Sequence, residues 1–204
     1  MAESGREQVE GVLAALPLKP FAAAKGRLDG LLGPEARSSL ARATAERVAA
    51  ACREASAHTA VVTGDPGVAR WAERLGLEVI AELAGGGLNG AAAAAAAEAG
   101  RRGLAWCIVH ADLPLLTPAG VAAVAGAAGP GRAALAPSRD GGTNLFAAAS
   151  PLEFAYGPGS FTRHLAAAGH LQVRVVVTVG TSLDLDTPED LLLVETGAEE
   201  HAAP

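Results

Sequence analysis

Trp106-Cys107-Ile108-Val109-His110-Ala111-Asp112-Leu113-Pro114-Leu115-Leu116 is the stretch whose reading decides the fold. Trp106 to Val109 is apolar at every position, which suits a strand buried on both faces at the centre of a parallel sheet. The run is followed by a carboxylate, Asp112, and Pro114 stops it from continuing as an ordinary ladder. Open α/β sheets bind their ligands outside the carboxyl ends of such strands. Asp112 is therefore a candidate for chemistry. Its plainer role would be to cap the helix that starts near Thr117. However, Thr117 with Pro118 already supplies a cap and a first helical position.

Working outward, strands and helices alternate. Val12 to Leu18 reads as a first strand, Pro34 to Ala57 as a long helix and Thr59 to Thr63 as a second strand. A short helix follows around Val68 to Leu75, then a third strand over Leu77 to Ala81. Gly85-Gly86-Gly87-Leu88-Asn89-Gly90 opens onto a run of alanines, strongly helix-forming, that reads as a helix through about Arg101. Beyond the Asp112 strand come a helix over Pro118 to Ala128 and a fifth strand over Ala133 to Pro137. A Gly-Gly turn then leads into a strand ending near Phe146, and Val173 to Val179 forms the last long strand. This alternation predicts an α/β fold with a mostly parallel central sheet flanked by helices. Neither a repeat nor a linker interrupts it, so the 204 residues are read as one domain. Residues 1–9 and 197–204 are expected as loose tails.

Composition narrows the function. Half of the residues are hydrophobic but only 3% are aromatic, so the core must be aliphatic. A net charge of −6 argues against nucleic acid or an anionic membrane as a partner. Two cysteines, Cys52 and Cys107, make neither a disulfide framework nor a zinc site. With no signal-peptide core and no apolar run long enough to span a bilayer, a soluble cytoplasmic protein is expected.

Three groups of residues carry candidate chemistry. Lys19, Lys25 and Arg27 lie in the loop after the first strand. Alone, such a loop reads equally as a solvated basic connection; at a strand's carboxyl end it suits a polyphosphate. In Leu183-Asp184-Leu185-Asp186 the two aspartates share one face of an extended segment. Paired carboxylates need a cation or a shared proton, and Mg²⁺ is the natural cation beside phosphates. Thr187-Pro188-Glu189-Asp190 has a complete explanation as a helix cap, so Glu189 and Asp190 are left out of the site. The third group is a pair of loops, Ser138 to Asn144 and Tyr156 to His164, rich in glycine and hydroxyls. Each reads separately as a turn, the second with Ser160 as a helix cap; together they suit an anion nest. Arg163 and His164 would add charge there or face water. No Ser-His-Asp order or Cys-His pair suggests a covalent nucleophile.

Six motifs in order give these groups a specific likeness: Pro17-x-Lys19 through Lys25-x-Arg27-Leu28; Gly87-Leu88-Asn89; Ala111-Asp112-Leu113-Pro114-Leu115; Gly141-Gly142-Thr143-Asn144; Gly157-Pro158-Gly159-Ser160-Phe161-x-x-His164; and Asp184-Leu185-Asp186-Thr187-Pro188-Glu189-Asp190-Leu191. Over Val12 to Val194 the chain resembles the 2-phospho-L-lactate guanylyltransferase family, whose actinobacterial members use phosphoenolpyruvate. The resemblance implies a single-domain nucleotidyltransferase fold, Rossmann-like and GT-A-like, with seven or eight strands. It implies transfer of GMP from GTP to the phosphate of phosphoenolpyruvate or 2-phospho-L-lactate, with release of pyrophosphate, for deazaflavin coenzyme (factor 420) biosynthesis.

Carried over by residue, Asp112, Asp184 and Asp186 would hold Mg²⁺, as two ions. Asp112, Lys25 and Arg27 would be catalytic. Thr143, Gly157 and Ser160 would hold the phospho-acid. Lys19, Lys25 and Arg27 would lie along the GTP phosphates, with Leu88 and Asn89 near the nucleoside. The partners implied are GTP, a three-carbon phospho-acid and the downstream transferase that consumes the unstable product. The residues are equally compatible with phosphoenolpyruvate, 2-phospho-L-lactate and 3-phosphoglycerate. Two other readings are another nucleotidyltransferase, for a molybdopterin or a sugar, and a non-catalytic GTP-binding protein.

Overall fold

β1 (Val12–Pro17) stands at the middle of the molecule, hydrogen-bonded in parallel to β2 (His58–Thr63) on one side and β4 (Ala105–Val109) on the other. The computed structural model describes residues 11–55, 58–82 and 85–194. Both expected tails lie outside these residues, as does the end of the first helix beyond Ala55. With β3 (Glu78–Ala81), β5 (Arg132–Pro137), β6 (Thr143–Ala148) and β7 (Gln172–Val175), the sheet has seven strands in the order β3-β2-β1-β4-β6-β5-β7. From β1 the chain builds outward through β2 and β3, then returns across β1 to add β4. That reversal opens a crevice beyond the carboxyl ends of β1 and β4, the usual ligand position in this architecture.

β6 alone runs against its neighbours, antiparallel to both β4 and β5. Its cause is local. Only Ser138 to Gly142 separate β5 from β6, too few residues for a crossover. The Ser138 N–H donates to the Gly142 carbonyl at 3.0 Å, and Gly141 has a positive φ of 83°. Antiparallel entry puts Thr143, the first residue of β6, at the same edge as the ends of β4 and β5. The Gly-Gly turn is thus a hairpin, and it still serves the ligand edge.

Helices cover both faces: α1 (Pro34–Ala55), α2 (Pro66–Arg74), α3 (Gly87–Arg101), α4 (Pro118–Ala125) and α5 (Ser160–Ala167), with a short α6 (Val179–Ser182). The expected cap is present, Thr117 accepting from the Gly120 N–H at 3.1 Å, and Asp65 caps α2 in the same way, accepting from the Val68 N–H at 2.8 Å. The alanine run is helical, and Ala91, Ala92, Ala95 and Ala99 are its buried stripe. Such short side chains let α3 lie close to the sheet. Trp106 and Phe146 fill the layer below it, ring centroids 5.0 Å apart and edge to face. Cys107 is a buried apolar side chain, its thiol pushed up to about 12 by burial.

Three boundaries differ from expectation by more than two residues. The Gly-rich stretch is less of a loop than it reads, because Gly87 to Gly90 form the first turn of α3. α4 stops at Ala125, with Gly126 as its cap residue, rather than at Ala128. The strand expected over Val173 to Val179 ends at Val175, and Val179 belongs to α6. Thr178 and Thr181 cause the last change by exchanging side-chain-to-backbone hydrogen bonds of 3.1 and 3.0 Å, a reciprocal cap that starts a helix. Gly180 is required there: a Cβ would sit 2.3 Å from the Leu115 carbonyl oxygen.

Candidate active site

The loop leaving β1 enters the crevice through two single-turn 3-10 segments, Phe21–Ala23 and Gly26–Leu28. Phe21 and Leu28 are buried and anchor it, Phe21 packing edge-on against Trp71 at 5.1 Å. Between the two turns Lys25 adopts a left-handed backbone, φ 59°, uncommon for a residue with a Cβ. This conformation turns its side chain inward, to 4% exposure. The ammonium donates to Asp112 Oδ2 at 3.2 Å and to Asp186 Oδ1 at 3.1 Å. Lys19 and Arg27 stay exposed. The three expected phosphate cations thus divide into one inserted among carboxylates and two on the rim.

Asp112 follows β4, and its carbonyl accepts the Leu185 N–H at 2.9 Å, which seats the segment 183–186 against it. Leu183 and Leu185 are buried, so Asp184 and Asp186 emerge on the opposite side, as their spacing requires. Asp190 holds the segment's end: its carboxylate accepts the N–H groups of Asp186 and Thr187 and the Thr187 hydroxyl. It is structural, as expected. Burial, reinforced by the charges of Asp112 and Asp186, pushes the Asp184 carboxyl up to about 6.

A cavity of about 280 Å³ occupies the crevice, its wall including Lys25, Glu82, Leu88, His110, Asp112 and Asp186. Asp112 Oδ1 and His110 Nε2 are buried without a hydrogen-bond partner among the described residues. Burial holds the His110 imidazole below its usual pKa, against the pull of the Asp112 carboxylate. An orphaned carboxylate oxygen beside two further aspartates is the kind of oxygen donor set that a hard divalent ion takes, although here the Lys25 ammonium lies between Asp112 and Asp186. The set is not gathered to ligating distance: among the described residues, no three carboxylate, imidazole or thiolate groups form a metal cluster.

A second group lies beside the first. The hydroxyls of Thr143 and Ser160 are 3.3 Å apart, and His164 Nδ1 is 3.0 Å from Thr143 Oγ1. All three residues are buried. Phe161 N–H donates to the Gly141 carbonyl at 3.2 Å, so the two glycine-rich loops do meet. Four of the backbone donors in these loops are already committed. The N–H groups of Gly141, Gly142, Ser160 and Phe161 bond to Ser138, Asp140, Gly157 and Gly141. Gly159, with φ 69°, takes the cap position of α5 and Ser160 is its first residue. Arg163 keeps its charge but its direction is fixed, since its guanidinium donates to the carbonyls of Ala155 and Pro158.

Of the nucleotide residues, Lys19 and Leu88 line the cavity together with Lys25. Arg27, Asn89, Asp184, Thr143, Gly157 and Ser160 are not in its wall. Asn89 turns elsewhere, its Oδ1 accepting the Tyr156 N–H at 2.7 Å, which ties the first turn of α3 to the 156–160 loop. Sequence reasoning passed over Glu82 and His110. His110 had a signal: it stands two residues before Asp112 in the decisive stretch.

Comparison with known proteins gives this geometry its relatives. A phosphoenolpyruvate guanylyltransferase of Rubrobacter xylanophilus is 39% identical over 196 residues, covering 90% of this chain and 93% of that protein. A 2-phospho-L-lactate guanylyltransferase of Methanothermobacter thermautotrophicus is 32% identical over 181 residues, covering 87% and 81%. Among solved structures, a putative nucleotide-diphospho-sugar transferase from Desulfovibrio desulfuricans G20 superposes with a TM-score of 0.77 at 16% identity, covering 94% of this chain and 89% of that one. That likeness speaks for the nucleotidyltransferase-like fold alone. The family model "Guanylyl transferase CofC like" matches residues 12–203, and the chain belongs to that family.

Proposed function

We propose that the protein transfers GMP from GTP to the phosphate of phosphoenolpyruvate. Pyrophosphate leaves, and enolpyruvoyl-2-diphospho-5′-guanosine forms for deazaflavin coenzyme biosynthesis. The observation that carries the reading is the convergence of Asp112, Asp186 and Lys25 at the strand-order reversal, between 3.1 and 3.2 Å of one another through the ammonium. The more similar of the two guanylyltransferases quoted above is named for phosphoenolpyruvate, which favours it over 2-phospho-L-lactate.

The substrate phosphate is already an anionic nucleophile, so no general base is needed, and catalysis is positioning plus charge stabilisation at the α-phosphate. Asp112, Asp184 and Asp186 would hold Mg²⁺, which when bound neutralises phosphate charge and fixes the in-line approach. The Lys25 ammonium, held at the carboxylates, would meet phosphoryl oxygens of bound GTP. Lys19 and Arg27 at the rim draw the triphosphate inward. Leu88 offers an apolar wall to the nucleoside. Asn89 acts by holding the 156–160 loop, and Thr143, Gly157 and Ser160 hold the phospho-acid.

Purified protein with GTP and Mg²⁺ should release pyrophosphate with phosphoenolpyruvate and far less with 2-phospho-L-lactate or 3-phosphoglycerate. The partner transferase that consumes the unstable product should be present to keep the reaction moving. Asp186→Asn should abolish this release while leaving the circular-dichroism spectrum unchanged. Wild-type release by that variant would remove Asp186 from the site. GTP binding without release on any acid would sink the transferase reading itself.

A further inference from the structure

His164 is fully buried on α5, and nothing in the chemistry above uses it. Its Nε2 accepts the Ala155 backbone N–H at 2.9 Å. A backbone N–H can only donate, so Nε2 carries no proton. Burial, and after it the charge of Arg163, pushes the His164 pKa down to about 4, in keeping with a neutral ring. A neutral imidazole with a bare Nε2 has its proton on Nδ1, and the bond it makes, 3.0 Å long, goes to Thr143 Oγ1. Ser160 Oγ donates to the same oxygen at 3.3 Å. Both acceptor positions of the Thr143 hydroxyl are thereby filled. Its own proton has no acceptor among the described residues.

We propose that His164 is a positioning residue that, through its Nδ1–H, fixes the Thr143 hydroxyl as a donor to an anionic oxygen of the three-carbon phospho-acid. The inference rests on the reading that places the phospho-acid at Thr143. Thr143 stands at the carboxyl edge because β6 enters there in antiparallel sense, two residues beyond the Val109–Leu145 pairing. A hydroxyl held as a donor selects for a carboxylate or phosphoryl oxygen and against a cation. A neutral imidazole does this without adding charge to the crevice.

Two substitutions separate positioning from packing. Gln at 164 can place an amide oxygen near the Nε2 position and keep the Ala155 bond, but offers Thr143 no Nδ1-like donor. Asn can place an amide nitrogen near Nδ1 and keep the donor, but does not reach Ala155. His164→Gln should raise KM for phosphoenolpyruvate about tenfold, the cost of one hydrogen bond to a charged group. Its kcat, its KM for GTP and its melting temperature should stay near wild type. His164→Asn should melt lower yet keep KM for phosphoenolpyruvate within about twofold. If both variants raise that KM in step with their loss of melting temperature, His164 only holds the fold and the proposal fails. Thr143→Val checks the reading beneath it. An unchanged KM for phosphoenolpyruvate in Thr143→Val would remove the phospho-acid from Thr143, and the role of His164 with it. A raised KM in Thr143→Val beside an unchanged one in His164→Gln would keep the phospho-acid there and overturn the positioning role alone.

Discussion

Lys25 combines a strained backbone with a shared ammonium, and the two are linked. A left-handed residue bearing a Cβ costs about 1 kcal/mol, and here that conformation delivers Nζ between Asp112 and Asp186. Strain of this kind is retained where surrounding structure enforces it. Lys25→Gly and Lys25→Ala both lose the ammonium and should both lose turnover. They should differ in stability, with Gly about 1 kcal/mol the more stable in urea unfolding, because only Gly accepts φ 59° freely. Equal stability would mean the backbone relaxes once the ion pairs are gone. The sequence presents Lys19, Lys25 and Arg27 as one basic loop. Which of them turns inward depends on the hinge between two 3-10 turns, and residue type does not reveal that. Asp112 was legible for the opposite reason: its place follows from an apolar strand and a proline.

At the scale of elements, the strand–helix alternation was legible, and boundaries failed where local hydrogen bonding outweighed pattern. Val173 to Val179 reads as a strand because of its valines, yet β7 is an edge strand with Val175, Val177 and Val179 exposed. Burial there does little to hold an extended chain, and the reciprocal Thr178–Thr181 cap wins. α6 matters beyond its length: the Thr181 carbonyl accepts from buried Asn144 Nδ2 at 3.2 Å, joining this segment to β6. Thr178→Ala should cost about 1 kcal/mol in chemical denaturation, the usual loss for a helix cap. No loss would show that packing around Thr181 suffices. The two glycine-rich loops are tied together in a way their composition does not reveal. Glycine-rich loops advertise free N–H groups, but the loops at 138–142 and 157–161 meet and satisfy their own donors.

For the molecule as a whole, the buried neutral His164 links stability to pH. Its pKa is lowered to about 4 from an ordinary 6.5, so the unfolded chain binds the proton more readily. Its contribution is complete above 6.5 and is lost as pH falls towards 4. Asp184, raised to about 6, acts in the opposite sense over part of that range. Comparing wild type with His164→Gln isolates the histidine. The variant's stability curve should be flatter between pH 6.5 and 4, by at most about 1.4 kcal/mol per pH unit. Parallel curves would mean that His164 titrates normally. Distance along the chain explains what else was hard to foresee, since the contacts that assemble the site join residues far apart: Lys25 and Asp186 are 161 positions apart. This separation imposes an order on biosynthesis. A ribosome delivers all seven strands by Val175, but the carboxylate that completes the Lys25 ion pair emerges later. Scaffold precedes site: the sheet can be complete while the crevice still lacks one of its carboxylates.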